Sequence, residues 1–171
     1  MQKPALLLGI MVIVCTFAVT SQCFAEERRF SEIVLDQPVG WDGDERAGFI
    51  TGNRNEYLVT LGKKDTREES YLAQVSIYII PNTQGLSAEE SAKALATQQD
   101  DSTLPVREGV FWKFSGYPRS NIIKGMTVTR VAATREWWCI IMAQGTNEHE
   151  ADEIIASLSG LSERAKILLG K

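Results

Sequence analysis

Histidine is almost missing from this chain, His149 being the only one. A Ser–His–Asp or Cys–His mechanism therefore has one candidate base. That base sits in the acidic stretch Glu148-His149-Glu150, and no Gly-x-Ser-x-Gly elbow supplies a nucleophile for it. Cysteine is scarce too: Cys15 and Cys23 fall in the first 25 residues, which leaves Cys139 alone and without a disulfide partner. A reactive thiol needs a histidine or an electropositive setting. Cys139 lies instead in Trp137-Trp138-Cys139-Ile140-Ile141-Met142, where a small buried hydrophobe is the expected role. Basic residues are not in excess, at 18 against 22 acidic, and nucleic-acid binding requires a basic face. The chain has no repeat, low-complexity tract, Pro/Gly-rich linker, or nucleotide or metal motif. Neither a cofactor nor a metal site is expected.

The first 25 residues carry the clearest signal. Lys3 gives a positive start, Ala5 to Val19 form an apolar run, and Thr20-Ser21-Gln22-Cys23-Phe24-Ala25 ends with small residues at the −3 and −1 positions of a cut. This is the layout of a secretory signal peptide, with cleavage expected between Ala25 and Glu26. The run falls short of the roughly twenty residues that a permanent membrane span needs. A retained anchor is the weaker reading. Lipidation of Cys23 is also weaker, because Gln22 stands where a lipoprotein site has a small residue. The expected product is 26–171, a periplasmic or secreted chain of 146 residues and net charge −5, since Lys3 is the only charge removed. That length suits one α+β domain able to bury about two thirds of its unfolded surface.

Along 26–171 the pattern predicts strands, a helix, strands and a helix. Glu26-Glu27-Arg28-Arg29 and 63–69 read as solvated turns or ends, and Ser31 to Leu35 as a short strand. Trp41-Asp42-Gly43-Asp44 reads as a turn, and 47–51 with 56–61 as a hairpin. In Tyr71 to Ile80, Ala73, Val75, Ile77 and Ile79 alternate with polar neighbours and mark a core face. Ser87-Ala88-Glu89-Glu90 has the spacing of a capping box, opening a helix to about Gln99 with Ala88, Ala92, Leu95 and Ala96 on one stripe. Gly109 to Ser115 places Val110, Trp112 and Phe114 on one face, and Gly116-Tyr117-Pro118-Arg119 reads as a turn. Strands follow at 126–134 and 137–144. A last helix opens at Asn147 with Ala151, Ile154, Ile155 and Leu158 inward and is stopped by Gly160, and 162–169 reads either as one or two further helical turns or as a frayed tail. Hairpins demand an antiparallel sheet, and the helices need it to bury their stripes.

This order resembles the Mog1/PsbP-like fold group. The resemblance rests on Pro38-Val39-Gly40-Trp41, on Ile79-Ile80-Pro81 leading to Leu86-Ser87-Ala88-Glu89-Glu90, on Gly109-Val110-Phe111-Trp112, and on Ile140 to Gly145 followed by Glu150 to Leu158. It covers most of 30–160 and implies an α/β/α sandwich, an antiparallel sheet flanked by helices. It also implies non-enzymatic contact with other proteins, as in photosystem II extrinsic subunits, a Ran-binding import factor and effector chaperones. No partner-binding residue carries over.

The remaining candidates are weak as sites. Asp42 and Asp44 have the alternate spacing of calcium ligands, but no terminal glutamate pattern follows. No carboxylate pair is singled out for acid–base work. Trp112, Trp137 and Trp138 are core candidates rather than a ligand platform, adjacent Trp137 and Trp138 pointing to opposite sheet faces. The expected function is therefore an exported, non-enzymatic protein of the bacterial envelope that binds or stabilises a protein partner. The alternative is a carrier of a small apolar ligand in a sheet–helix cleft. A flat apolar patch supports the first, and a closed cavity of about 300 Å³ or more the second.

Overall fold

The computed structural model describes residues 25–65, 71–119, 125–145 and 148–171. All of the expected signal segment 1–25 but Ala25, most of the charged stretch 63–69 and the helix start at Asn147 lie outside the described residues. The central strand is β5 (Tyr71–Pro81), flanked by β4 (Tyr57–Lys64) and β10 (Trp137–Gly145). As the alternation predicts, Ala73, Val75, Ile77 and Ile79 are buried. Opposite them on β10 lie Gly145, Ala143, Ile141 and Cys139. Beyond β4 comes β3 (Trp41–Ala47). Beyond β10 come β9 (Thr127–Ala133) and β8 (Phe111–Pro118), with the short β6 (Gln99–Asp100) and β7 (Val106–Glu108) along the outer edge of β8. A second, three-stranded sheet joins β1 (Glu26–Arg29), β2 (Ile33–Gln37) and β11 (Ser159–Gly160). Every pairing among the described residues is antiparallel. Three short helices complete the α+β fold among the described residues: α1 (Ala88–Ala96), α2 (Glu148–Ser157) and α3 (Glu163–Leu169).

Neighbouring residues on one strand serve different cores. On β10, Cys139 and Ile141 join the main cluster with Ala151 and Ile154 of α2 and Ala165 and Leu168 of α3. Ile140, between them, packs on a smaller cluster made with Ala92 and Ala96 of α1, Phe114 and Val131. The pleat sends successive side chains to opposite faces, so one strand supplies both. Ile77, Ile79, Ile141 and Ile154 are fully buried, and each such side chain contributes about 1.5–3 kcal/mol.

The capping box is present. Glu90 N donates to Ser87 Oγ at 3.2 Å, and Ser87 N donates to the Glu90 carboxylate at 2.9 Å. Alanines then let α1 sit close to β8 and β9.

Several expectations need correction. Trp41 to Asp44 is strand, not turn: β3 pairs with β4 from Trp41↔Lys63 to Ala47↔Tyr57. It is an edge strand, and edges carry charge that would be misplaced at a sheet centre. Glu26 to Arg29 is likewise an exposed strand paired with β2. The hairpin loop is 48–56, held by Glu56, whose carboxylate accepts from the N–H groups of Ile50 and Thr51. The first helix ends at Ala96, and Gln99 already belongs to β6. Val110 sits in a turn and is exposed, while Trp112 and Phe114 do share the α1 face. Gly116 to Pro118 continue β8 instead of turning. Gly160 pairs with Ile33 rather than only ending a helix. The helical reading of 162–169 stands, with α3 at Glu163–Leu169.

Candidate functional site

Two concavities stand out, on opposite faces of the large sheet. The first is an open groove of about 680 Å³ between α1 and the segment linking β6 to β7. α1 contributes Glu89, Lys93 and Ala96 to one wall, with Thr97 just past its end, residues 102–105 form the other, and Trp112 lies between. The linking segment is tied to the sheet at Thr103, whose N–H donates to Ser115 O at 2.8 Å and whose Oγ1 accepts from Ser115 N at 2.9 Å. The chain leaves β6 through Asp101, which takes a left-handed φ of 49°. Holding Thr103 down pushes Leu104 out, where it is 85% exposed. Pro105 and the exposed Val106 extend that apolar rim into β7. β7 pairs with β8 on one side, and among the described residues its other edge meets no strand. Gln99 forms part of the floor. Its Nε2 donates to Thr129 Oγ1, while its buried Oε1 has no partner among the described residues.

The second is a smaller cavity, about 140 Å³, between α2 and β8, β9 and β10. α2 is fastened over it at two points. Glu150 accepts from Lys63 Nζ at 2.7 Å and from Trp41 Nε1 at 2.7 Å. Asp152 accepts from Arg130 Nη2 at 3.0 Å. Arg130 is buried in the strand β9, and its Nε donates to Glu108 at 3.1 Å. Lys113 Nζ shares the same carboxylate at 3.1 Å. Burial alone would raise the pKa of Glu108, but hydrogen bonds from Lys113 and Arg130 outweigh it and hold the group below its ordinary value. Arg130 Nη1 is buried with no acceptor among the described residues.

The residues singled out from sequence scatter. Cys139 is fully buried, and that burial pushes its thiol up to about 12, far from a reactive thiolate. His149 is on the surface of α2, 86% exposed, with Nδ1 3.4 Å from Glu153. The two do not meet. Asp42 and Asp44 pair separately with Lys64 and Arg46, and the described residues contain no group of three or more His, Cys, Asp or Glu side chains able to hold a metal. Trp112 packs on the α1 cluster and Trp137 on the main one, each half-buried. Trp137 also lies under the Arg164 guanidinium, 4.3 Å from its ring centroid. Ala25 and Glu26 stand at the exposed start of β1. No helix among the described residues is long and apolar enough to cross a membrane.

Sequence reasoning missed both concavities. Trp112 was legible as a face residue, but Leu104-Pro105 belongs to no periodic segment. Arg130, inside a threonine- and valine-rich strand, has the look of an outward charge. Compared with known proteins, the chain matches no family model, no curated protein and no solved structure.

Proposed function

We propose that the chain is an exported, non-enzymatic protein of the bacterial envelope that binds or stabilises a protein partner through the groove beside α1. In this reading the fold is the α/β/α sandwich of the Mog1/PsbP-like group, with α1 on one side of the sheet and α2 and α3 on the other. The observation that carries the proposal is Leu104, 85% exposed on the wall of an open groove, in a segment that leads into β7, whose outer edge meets no strand among the described residues. An extended segment of a partner adds to such an edge through its main chain, and an apolar side chain placed over Trp112 gives selectivity. Covering a leucine contributes about 1.5–3 kcal/mol before the costs of association. The carrier reading, which asks for a wholly apolar ligand, is less well supported, because the sheet–helix cavity under α2 has Lys113, Arg130 and Asp152 in its wall and the larger concavities are open.

A photoreactive residue at position 104, compared with one at the exposed Ile50 on another part of the surface, tests the proposal in cells. Expected is a discrete cross-linked protein from position 104 alone. Trp112→Ala in the same chain should reduce it strongly while export continues. Equal cross-linking from both positions, or none from either, would refute the groove as the contact. Recovery of the chain with Glu26 as its first residue tests the export step separately.

A further inference from the structure

We propose that the cavity under α2 is a binding site for a small aliphatic monocarboxylate. The inference is independent of the protein-binding reading, since it concerns the opposite face of the sheet. Its starting point is Arg130. A buried donor is nearly always paired, and an exception asks what should occupy the place beside it. Arg130 is 6% exposed and lines the cavity, yet Nη1 has no acceptor among the described residues.

Charge depth decides the sign of the ligand. The cations sit inside, with side-chain exposures of 8% for Arg130 and 34% for Lys113. The carboxylates that answer them stand outward, Glu108 at 50% and Asp152 at 64%, where solvent screens them. The four charges sum to zero, so it is their difference in depth that makes the interior favour an anion, and a single negative charge over two. The rest of the wall includes Met126, Val128, Ala143 and Ala151, which suits a short alkyl chain. Arg130 Nη1 would donate to the ligand carboxylate, with Lys113 adding charge, and the chain would lie against Val128 and Ala143.

Sodium butanoate titrated into the chain at constant ionic strength, with methyl groups followed by NMR, tests this. Expected are saturable shifts confined to Val128, Ala143, Ala151 and their neighbours, with a Kd on the order of 1 mM, and none from butan-1-amine. Arg130→Lys keeps the charge but removes the free N–H, and should weaken binding at least about tenfold, the factor of one charge-assisted hydrogen bond. Since Arg130 also holds Asp152, a second variant, Val128→Phe, fills the cavity and leaves the cations in place. It should abolish the shifts while melting as a folded protein. Non-saturating shifts in the native chain, equal shifts from the amine, or native affinity in Val128→Phe would overturn the site and leave a water-filled cavity.

Discussion

Arg164 joins the end of the chain to its beginning, and replacing it with Met measures what that join contributes. Its Nε donates to Glu32 at 3.0 Å, Nη2 donates to the other oxygen of the same carboxylate, Nη1 donates to Asn55 O at 3.1 Å, and the guanidinium stacks on Trp137. Both side chains of the pair are mostly buried, with 17% and 16% exposure. Breaking a fully buried pair by removing one partner costs about 3–5 kcal/mol. Partial exposure lowers that, and methionine retains contact with Trp137, so about 2–4 kcal/mol is expected. For a chain of this length that is roughly a 5–15 °C fall in melting temperature. Adding Glu32→Gln should recover part of the loss, because no orphan charge remains. The pH dependence has a definite sign. Burial pushes the Glu32 carboxyl up, but hydrogen bonds from Arg164 and Ser162, with the charge of Arg164, outweigh it and hold the pKa below its ordinary value. A depressed carboxyl contributes stability above its unfolded pKa and loses it as pH falls through the folded one. Urea unfolding should therefore show the gap between native and Arg164→Met chains in full near about pH 7, closing below about pH 4. A gap under about 0.5 kcal/mol, or one that persists in acid, would refute the reasoning.

Three further outcomes are expected. Ser87→Ala should cost about 1 kcal/mol in thermal melts and Ser87→Asp almost nothing, because aspartate caps as well and suits the helix dipole. Gly145→Ala should cost about 2–4 kcal/mol by urea unfolding. There φ is +104°, and an added Cβ would stand 2.1 Å from Leu72 O, main chain that cannot swing aside. Cys139 should resist thiol reagents in the native chain, and Cys139→Ala should cost roughly 1 kcal/mol; rapid native labelling would contradict its full burial.

The centre of the sheet was legible in the sequence and its margins were not. Tyr71 to Ile80 alternates because Ala73, Val75, Ile77 and Ile79 are buried on one face, and the same burial gave away Met126 to Thr134 and Trp137 to Gln144. Ser87 and Glu90 announced their helix through local chemistry alone. At the rim that logic fails. Trp41 to Ala47 carries four charged residues because its outer edge is solvated, so it has the composition of a turn. β6 and β11 are two residues long and β7 three, too short for any period to show. Both concavities are built at this margin or across it. The partners of Arg130, Glu108 and Asp152, each lie 22 residues away along the chain, and no local pattern connects them.

The pairing of β2 with β11 has a consequence for the order of events in folding. Val34 and Ser159 face each other across 125 residues of chain. Closing so long a loop in a flexible chain costs about 4 kcal/mol of entropy, more than a two-residue strand returns. The small sheet therefore waits until the large one has drawn its ends together and shortened the effective loop. A nascent chain cannot complete the small sheet until Ser159 and Gly160 exist, so a chain cut before Ser159 should keep the β4–β5–β10 register and release β1 and β2. A small sheet that stays open until β11 arrives is, for the same reason, the part of the fold that should come apart first when the protein is stressed.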